Sequence, residues 1–188
     1  MLSATLQRRP PAAELKRMAD QTFMDIFNRL NMDEAFRAEV ERDPAEALSA
    51  FRLTREQAEG VALRGAWSGR IRALPIFGKL TASEFAHVLT RMEEGFYRPG
   101  EILMLQGDPG DWFHYLTEGK IEVLQAPAGR DVSKARRIAT LGAGEHVGET
   151  ALRFNTARNA TVRAMTNVRT LSLEAHDFRE LFRRMAVA

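Results

Sequence analysis

Apolar positions change their spacing midway along this chain. Up to about residue 70 they recur at intervals of three and four, whereas from 97 to 173 they fall in short runs, some alternating with polar residues, between glycine turns. Phe23, Ile26, Phe27 and Leu30 stand at i, i+3, i+4 and i+7, one face of an amphipathic helix that needs a partner to bury it. Asp43, Pro44, Ala45 and Glu46 read as a helix start, with Asp43 as cap, Pro44 at the first helical position and Glu46 reaching back to the cap amide; Ala47, Leu48 and Phe51 then point inward. Thr54, Arg55, Glu56 and Gln57 repeat the capping box ahead of Ala58, Val61 and Ala62. At least four short helices before residue 66, with a boundary near Ser68 and Gly69, predict a helical module over 1–70 and a second domain over 71–188.

The second part opens with another box, Thr81 to Glu84, before a helix carrying Phe85, Val88, Leu89 and Met92. Turn residues follow at intervals of roughly ten residues: Pro99 and Gly100, the GDPGD stretch 107–111, Glu118 and Gly119, and LGAGE at 141–145, the rhythm of an antiparallel barrel or roll. Ile121 and Val123 alternate with Lys120 and Glu122. A last helix is expected over His176 to Met185, with Phe178, Leu181, Phe182 and Met185 in its stripe. The fold class expected is α+β, a helical bundle followed by an antiparallel β-roll with flanking helices.

Composition narrows the function classes. A chain of 188 residues that is 45% hydrophobic can bury one ordinary core and a smaller second one. No cysteine is present, which removes disulfides, thiolate metal sites and a Cys nucleophile, and suits a reducing compartment. The start lacks the apolar run of a signal peptide and no stretch of about 18 apolar residues occurs, so a cytoplasmic protein without membrane association is expected. The 27 basic and 25 acidic residues leave a formal charge of +2, too slight a surplus to point to nucleic acid. His87, His114, His146 and His176 are scattered without metal-ligand spacing, and no GxSxG, HExxH or P-loop occurs, so neither a metal nor an enzyme activity is expected. Trp67 and Trp112 read as packing or boundary residues.

The stretch from Gly148 to Val162 carries the chemistry. Gly148 lets backbone approach a ligand, and a helical turn over 149–153 would aim free amides, at Glu149, Thr150 and Ala151, at an anion before it. Arg158 offers a planar fork for paired phosphate oxygens, while Glu149, an acceptor when ionised, suits a sugar hydroxyl and balances the Arg158 charge. Together they describe a sugar phosphate. The same pair could instead form an internal ion pair tying a helix to a strand.

The segment GETALRFNTARNATV resembles the phosphate-binding cassette of the cyclic nucleotide-binding domain family, and the similarity runs from Leu74 to Met185, including PGEILMLQGDPGDWFHYLTEGKIEV. The resemblance implies that Glu149 takes the ribose 2′-hydroxyl and Arg158 the cyclic phosphate of cAMP or cGMP. It further implies that Gly148, Glu149, Thr150 and Ala151 form the Gly-Glu turn with its backbone donors, that Asn159 and Ala160 follow the fork, and that Val123, Ile138 and Ala139 flank the base or sugar. Two positions depart from the family pattern: Ala157 stands where Pro is frequent, and Asn159 where Ala, Ser or Thr is usual and a hydroxyl favours guanine. Residues 20–66 are similar to the small helical LigA-like domain of ring-opening dioxygenases, which implies a packing or partner-binding role. The expectation is a non-enzymatic sensor that needs no cofactor, binds a cyclic nucleotide and acts through a protein partner or a homodimer. The alternative is a ligand-free scaffold. A regulator carrying a helix-turn-helix after the roll is disfavoured, because only 15 residues follow Leu173.

Overall fold

A computed structural model describes residues 12–127 and 132–186. Five helices precede the first strand: α1 (Ala12–Met32), α2 (Glu34–Arg42), α3 (Pro44–Ala47), α4 (Arg55–Arg72) and α5 (Ala82–Arg91). The face expected on α1 is the buried one: Ile26, Phe27 and Leu30 are fully enclosed and Phe23 packs at the margin of the same core. Asp33 caps α2 by accepting from the Phe36 amide at 2.9 Å.

Asp43 caps α3 by accepting from the Glu46 amide at 3.1 Å, with Pro44 at the first position. Glu46 does not close the box in return, because the Asp43 amide is already donated to the Glu39 carbonyl at 2.9 Å, where it ends α2. One residue thus stops one helix and starts the next. The boxes at Thr54 and Thr81 do close in both directions, through Gln57 and Glu84. Leu48 is buried, and Ala47 and Phe51 pack against the core from its edge.

The break expected near Ser68 and Gly69 falls inside α4. The hydroxyl of buried Ser68 donates back to the Gly65 carbonyl at 2.8 Å, which satisfies it within the helix, and nothing crowds Gly69. The bundle also shares its core with the sheet domain: Val61 and Ile71 from α4 and Leu89 from α5 belong to one buried cluster with Phe113, Tyr115, Leu171, Leu173 and Phe178. Trp67 meets Tyr115 edge-on, ring centroids 5.7 Å apart, and so is the boundary residue expected of it. Arg64 fastens the junction, donating from Nε and NH2 to the Met92 carbonyl at 3.0 and 2.9 Å, at the exit of α5.

Eight strands follow: β1 (Glu93–Tyr97), β2 (Ile102–Met104), β3 (Trp112–Glu118), β4 (Lys120–Gln125), β5 (Arg136–Gly142), β6 (His146–Val147), β7 (Thr161–Ala164) and β8 (Val168–Glu174). Helix α6 (Glu149–Phe154) interrupts them and α7 (Ala175–Ala186) closes the chain. They form two four-stranded antiparallel sheets, ordered β1-β8-β3-β6 and β2-β7-β4-β5. Strand alternation sorts the side chains. Phe113 and Tyr115 of β3 and Leu171 and Leu173 of β8 join the helical core, while Leu116 and Val168 join Met104, Ile121, Val162 and Ala164 inside the roll. The β1-β8-β3-β6 sheet is therefore covered by helices on one face and by the second sheet on the other. Phe178 of α7 is fully buried in the shared core; the side chains of Leu181, Phe182 and Met185 lie outside those described. No helix among the described residues is long and apolar enough to cross a membrane.

Candidate functional site

Between β6 and β7 the chain leaves the sheet to make α6, and the turn into it depends on Gly148 at φ 101. A side chain there would meet the Trp112 carbonyl, an Arg158 nitrogen and the Met104 methyl at under 3 Å, in addition to the backbone strain. Asn155, also left-handed at φ 50, ends the helix. These two reversals fold the segment 148–162 back over the mouth of the roll.

A cavity of about 230 Å³ opens beneath this segment. Its walls include Met104, Val123, Ile138, Leu141, Val147 and Val162, with Gly148, Glu149, Thr150, Ala151, Arg158, Asn159 and Ala160 on the side of α6. Nine of the ten residues singled out from the sequence thus converge on one space. Ala139 does not line it; it is paired with Val123 across the β4–β5 ladder and stands one residue beyond Ile138. Ile138 is 48% exposed at the cavity rim.

Arg158 is the buried charge of the site, 4% exposed. Its NH1 donates to the Gly148 carbonyl at 2.8 Å, and its NH2 to the Trp112 carbonyl and, at 3.1 Å, to Asp111 Oδ1. Its Nε has no partner among the described residues. The carboxylate that balances it is therefore Asp111, not Glu149, and no ion pair joins Glu149 to Arg158 among the described residues. Glu149 instead accepts from the Thr150 hydroxyl at 3.1 Å and stands half-exposed at the cavity. A buried cation with one exposed carboxylate partner, and a second carboxylate at the cavity edge, are chemistry suited to an anion and a hydroxyl. Asn159 is exposed and borders the cavity; its backbone carbonyl accepts from Gln125 Nε2 at 3.4 Å.

Sequence reasoning took Asp111 only as part of a turn and His114 only as one of four scattered histidines. Asp111 accepts from Arg158, and the Arg158 charge acts on His114. Burial, reinforced by the Arg158 charge and opposed by Asp111, lowers the His114 pKa to about 4, so it is neutral at pH 7. His176, Asp177 and Glu180 approach one another at the start of α7, outside this cavity.

The sequence model of the cyclic nucleotide-binding domain matches residues 94–185. A Rhodopseudomonas palustris protein described as a potassium channel is 33% identical over 118 residues, which are 63% of this chain and 27% of that protein. The chain thus spans about a quarter of the length of that relative. The crystal structure of the N-terminal domain of a Streptomyces coelicolor transcriptional regulator is 32% identical, with a TM-score of 0.50 over 61% of this chain and 79% of that one. The regulatory domain of Toxoplasma gondii PKA, crystallised with cAMP, has the same fold at 22% identity, with a TM-score of 0.58 over 73% of this chain and 50% of that one.

Proposed function

Because the chain belongs to the cyclic nucleotide-binding domain family through residues 94–185, we propose that it is a sensor whose cavity at Arg158 takes cAMP or cGMP and whose output is a contact with another protein. The observation that carries this reading is the buried Arg158 fork on a cavity of about 230 Å³ with Glu149 at its edge. The cyclic phosphate lies against Arg158 and the backbone amides of 149–151, its charge met by guanidinium donors already held in place. The ribose 2′-hydroxyl donates to the Glu149 carboxylate. The base lies between Val123 and Ile138, where apolar burial supplies most of the affinity. No residue in the cavity is assigned a catalytic role. The helical bundle, which shares its core with α5 and α7, is the element proposed to contact the partner, with a homodimer as one form of that contact and the cytoplasm as its place.

Titration calorimetry with cAMP and cGMP tests the reading directly. Glu149→Gln is expected to weaken binding of the ribonucleotide by about 1 kcal/mol and to leave the 2′-deoxy analogue nearly unchanged. Equal losses for both ligands would remove Glu149 from the sugar. A second reading, a roll that no longer takes a ligand, is favoured by one observation: three protein oxygens already accept from Arg158. Absence of heat with either nucleotide, in protein freed of copurified ligand, would select it.

A further inference from the structure

Behind the phosphate fork lies a second buried polar group. His114 of β3 points into the roll and is 2% exposed. Its Nδ1 lies 2.7 Å from the Ser172 hydroxyl, which is itself 2.9 Å from the Thr170 hydroxyl, both on β8. Tyr97 of β1 stands edge-on to the ring, centroids 6.1 Å apart. The remaining nitrogen, Nε2, has no partner among the described residues.

The two carbonyls that hold the Arg158 guanidinium bracket this histidine. Trp112 precedes it by two residues on the same face of β3, and Gly148 follows Val147, the residue opposite His114 in the β3–β6 ladder. The charged groups around the imidazole are Arg158 and Asp111, with Tyr97 the further titratable neighbour. Arg158 Nε, too, is buried and without a partner among the described residues. A buried polar atom without a partner is costly, and the Arg158 charge acts on the imidazole, so the two nitrogens are expected to be complementary. Arg158 Nε can only donate; the histidine complements it if Nδ1 carries the proton and Nε2 the lone pair. The opposite tautomer would turn a second donor toward a cation.

We propose that His114 is a positioning residue for Arg158: its Nδ1–H is donated to Ser172, and its Nε2 lone pair, turned toward the guanidinium, fixes the plane in which the fork meets a phosphate. The proposal rests on reading the cavity as a cyclic nucleotide site. His114 touches no ligand itself; it acts through Arg158.

Two measurements test it. Long-range ¹H–¹⁵N NMR on the ligand-free protein at pH 7 should show His114 as the Nδ1–H tautomer, and an Nε2–H tautomer or an imidazolium overturns the proposal whether or not any nucleotide binds. In calorimetry, His114→Leu should weaken cAMP or cGMP, whichever the wild type binds, by tenfold or more and leave the weaker binding of the matching nucleoside, which lacks the phosphate, within twofold. His114→Gln, which restores a neutral acceptor, should recover most of the loss. Equal losses for nucleotide and nucleoside, or a cyclic nucleotide affinity untouched in His114→Leu, overturn it. A wild type that binds neither nucleotide overturns the site reading and leaves the tautomer to decide the positioning contact.

Discussion

Asp111 Oδ1 lies 3.1 Å from Arg158 NH2, across 47 residues of chain. The guanidinium end of this pair is buried, 3% exposed, and the carboxylate end is 71% exposed. Asp111 therefore competes from the solvent side for the NH2 donor that the Trp112 carbonyl already holds from within, while the Gly148 carbonyl holds NH1. A bound phosphate would bring a second negative charge to the same nitrogen.

Asp111→Asn keeps an acceptor and removes that charge. Since the carboxylate is exposed and screened, the gain is at most ~1 kcal/mol, and cyclic nucleotide affinity should rise about two- to fivefold. Calorimetry at low and moderate salt checks this, with the gain shrinking as salt rises. A fall in affinity would mean that Asp111 aims the fork and does not merely compete for it.

Arg158 is also a structural residue, since it ties the start of β3 to the turn before α6. Arg158→Ala should therefore lower the melting temperature as well as cost on the order of 2 to 5 kcal/mol in nucleotide affinity. Arg158→Lys separates the two effects. It retains the charge but cannot serve two carbonyls and a phosphate in one plane, so affinity should fall at least tenfold in a protein that remains folded by circular dichroism. Retention of full affinity in the lysine variant would show that charge alone suffices.

How much of this was legible beforehand depended on sequence distance. The cassette from Gly148 to Val162 was readable because its Gly, Glu and Arg are near neighbours in the chain, and the helix starts at Thr54 and Thr81 because a capping box is local. Asp111 and His114 were not, since their partners Arg158 and Ser172 are 47 and 58 residues away and are brought near by strand pairing. The GDPGD stretch carried a turn signal strong enough to account for its aspartates without any further role. That Ser68 and Gly69 lie inside α4 was hidden for the opposite reason. Two weak helix formers suggest a break, but Ser68 is satisfied by Gly65 and the helix is held by its contacts with the roll. Reading Glu149 as the counter-charge of Arg158 failed because proximity in sequence does not determine which carboxylate reaches the guanidinium.

Asn159 bears on the choice of base. Its backbone carbonyl is engaged by Gln125, and the residue borders the cavity, where a side-chain amide oxygen could accept from the amino group of guanine. Asn159→Ala should then lower cGMP affinity relative to cAMP by roughly 1 kcal/mol, one neutral hydrogen bond. Competition binding with both nucleotides measures the ratio, and an unchanged ratio removes Asn159 as a base reader.

His114 makes the fold sensitive to acid. In the unfolded chain a histidine titrates at 6.5, whereas here burial and the neighbouring guanidinium hold it at about 4. Above pH 6.5 both states are neutral at this position and the full stability is present. As pH falls from 6.5 toward 4 the unfolded chain takes up a proton that the folded protein refuses, so stability declines, by about 2 to 3 kcal/mol at pH 4.5. Below about 4 the folded protein takes up the proton too and the decline from this group ends. Asp33, whose pKa is lowered chiefly by the Phe36 amide, contributes a loss that belongs to pH values below its ordinary 3.8, so the two windows separate. Urea unfolding of wild type and His114→Gln at pH 7 and pH 4.5 isolates the histidine. The glutamine variant, uncharged at both values, should lose about 2 to 3 kcal/mol less than wild type between them, and equal losses would mean that His114 is protonated in the folded protein at pH 4.5 or is not buried as described.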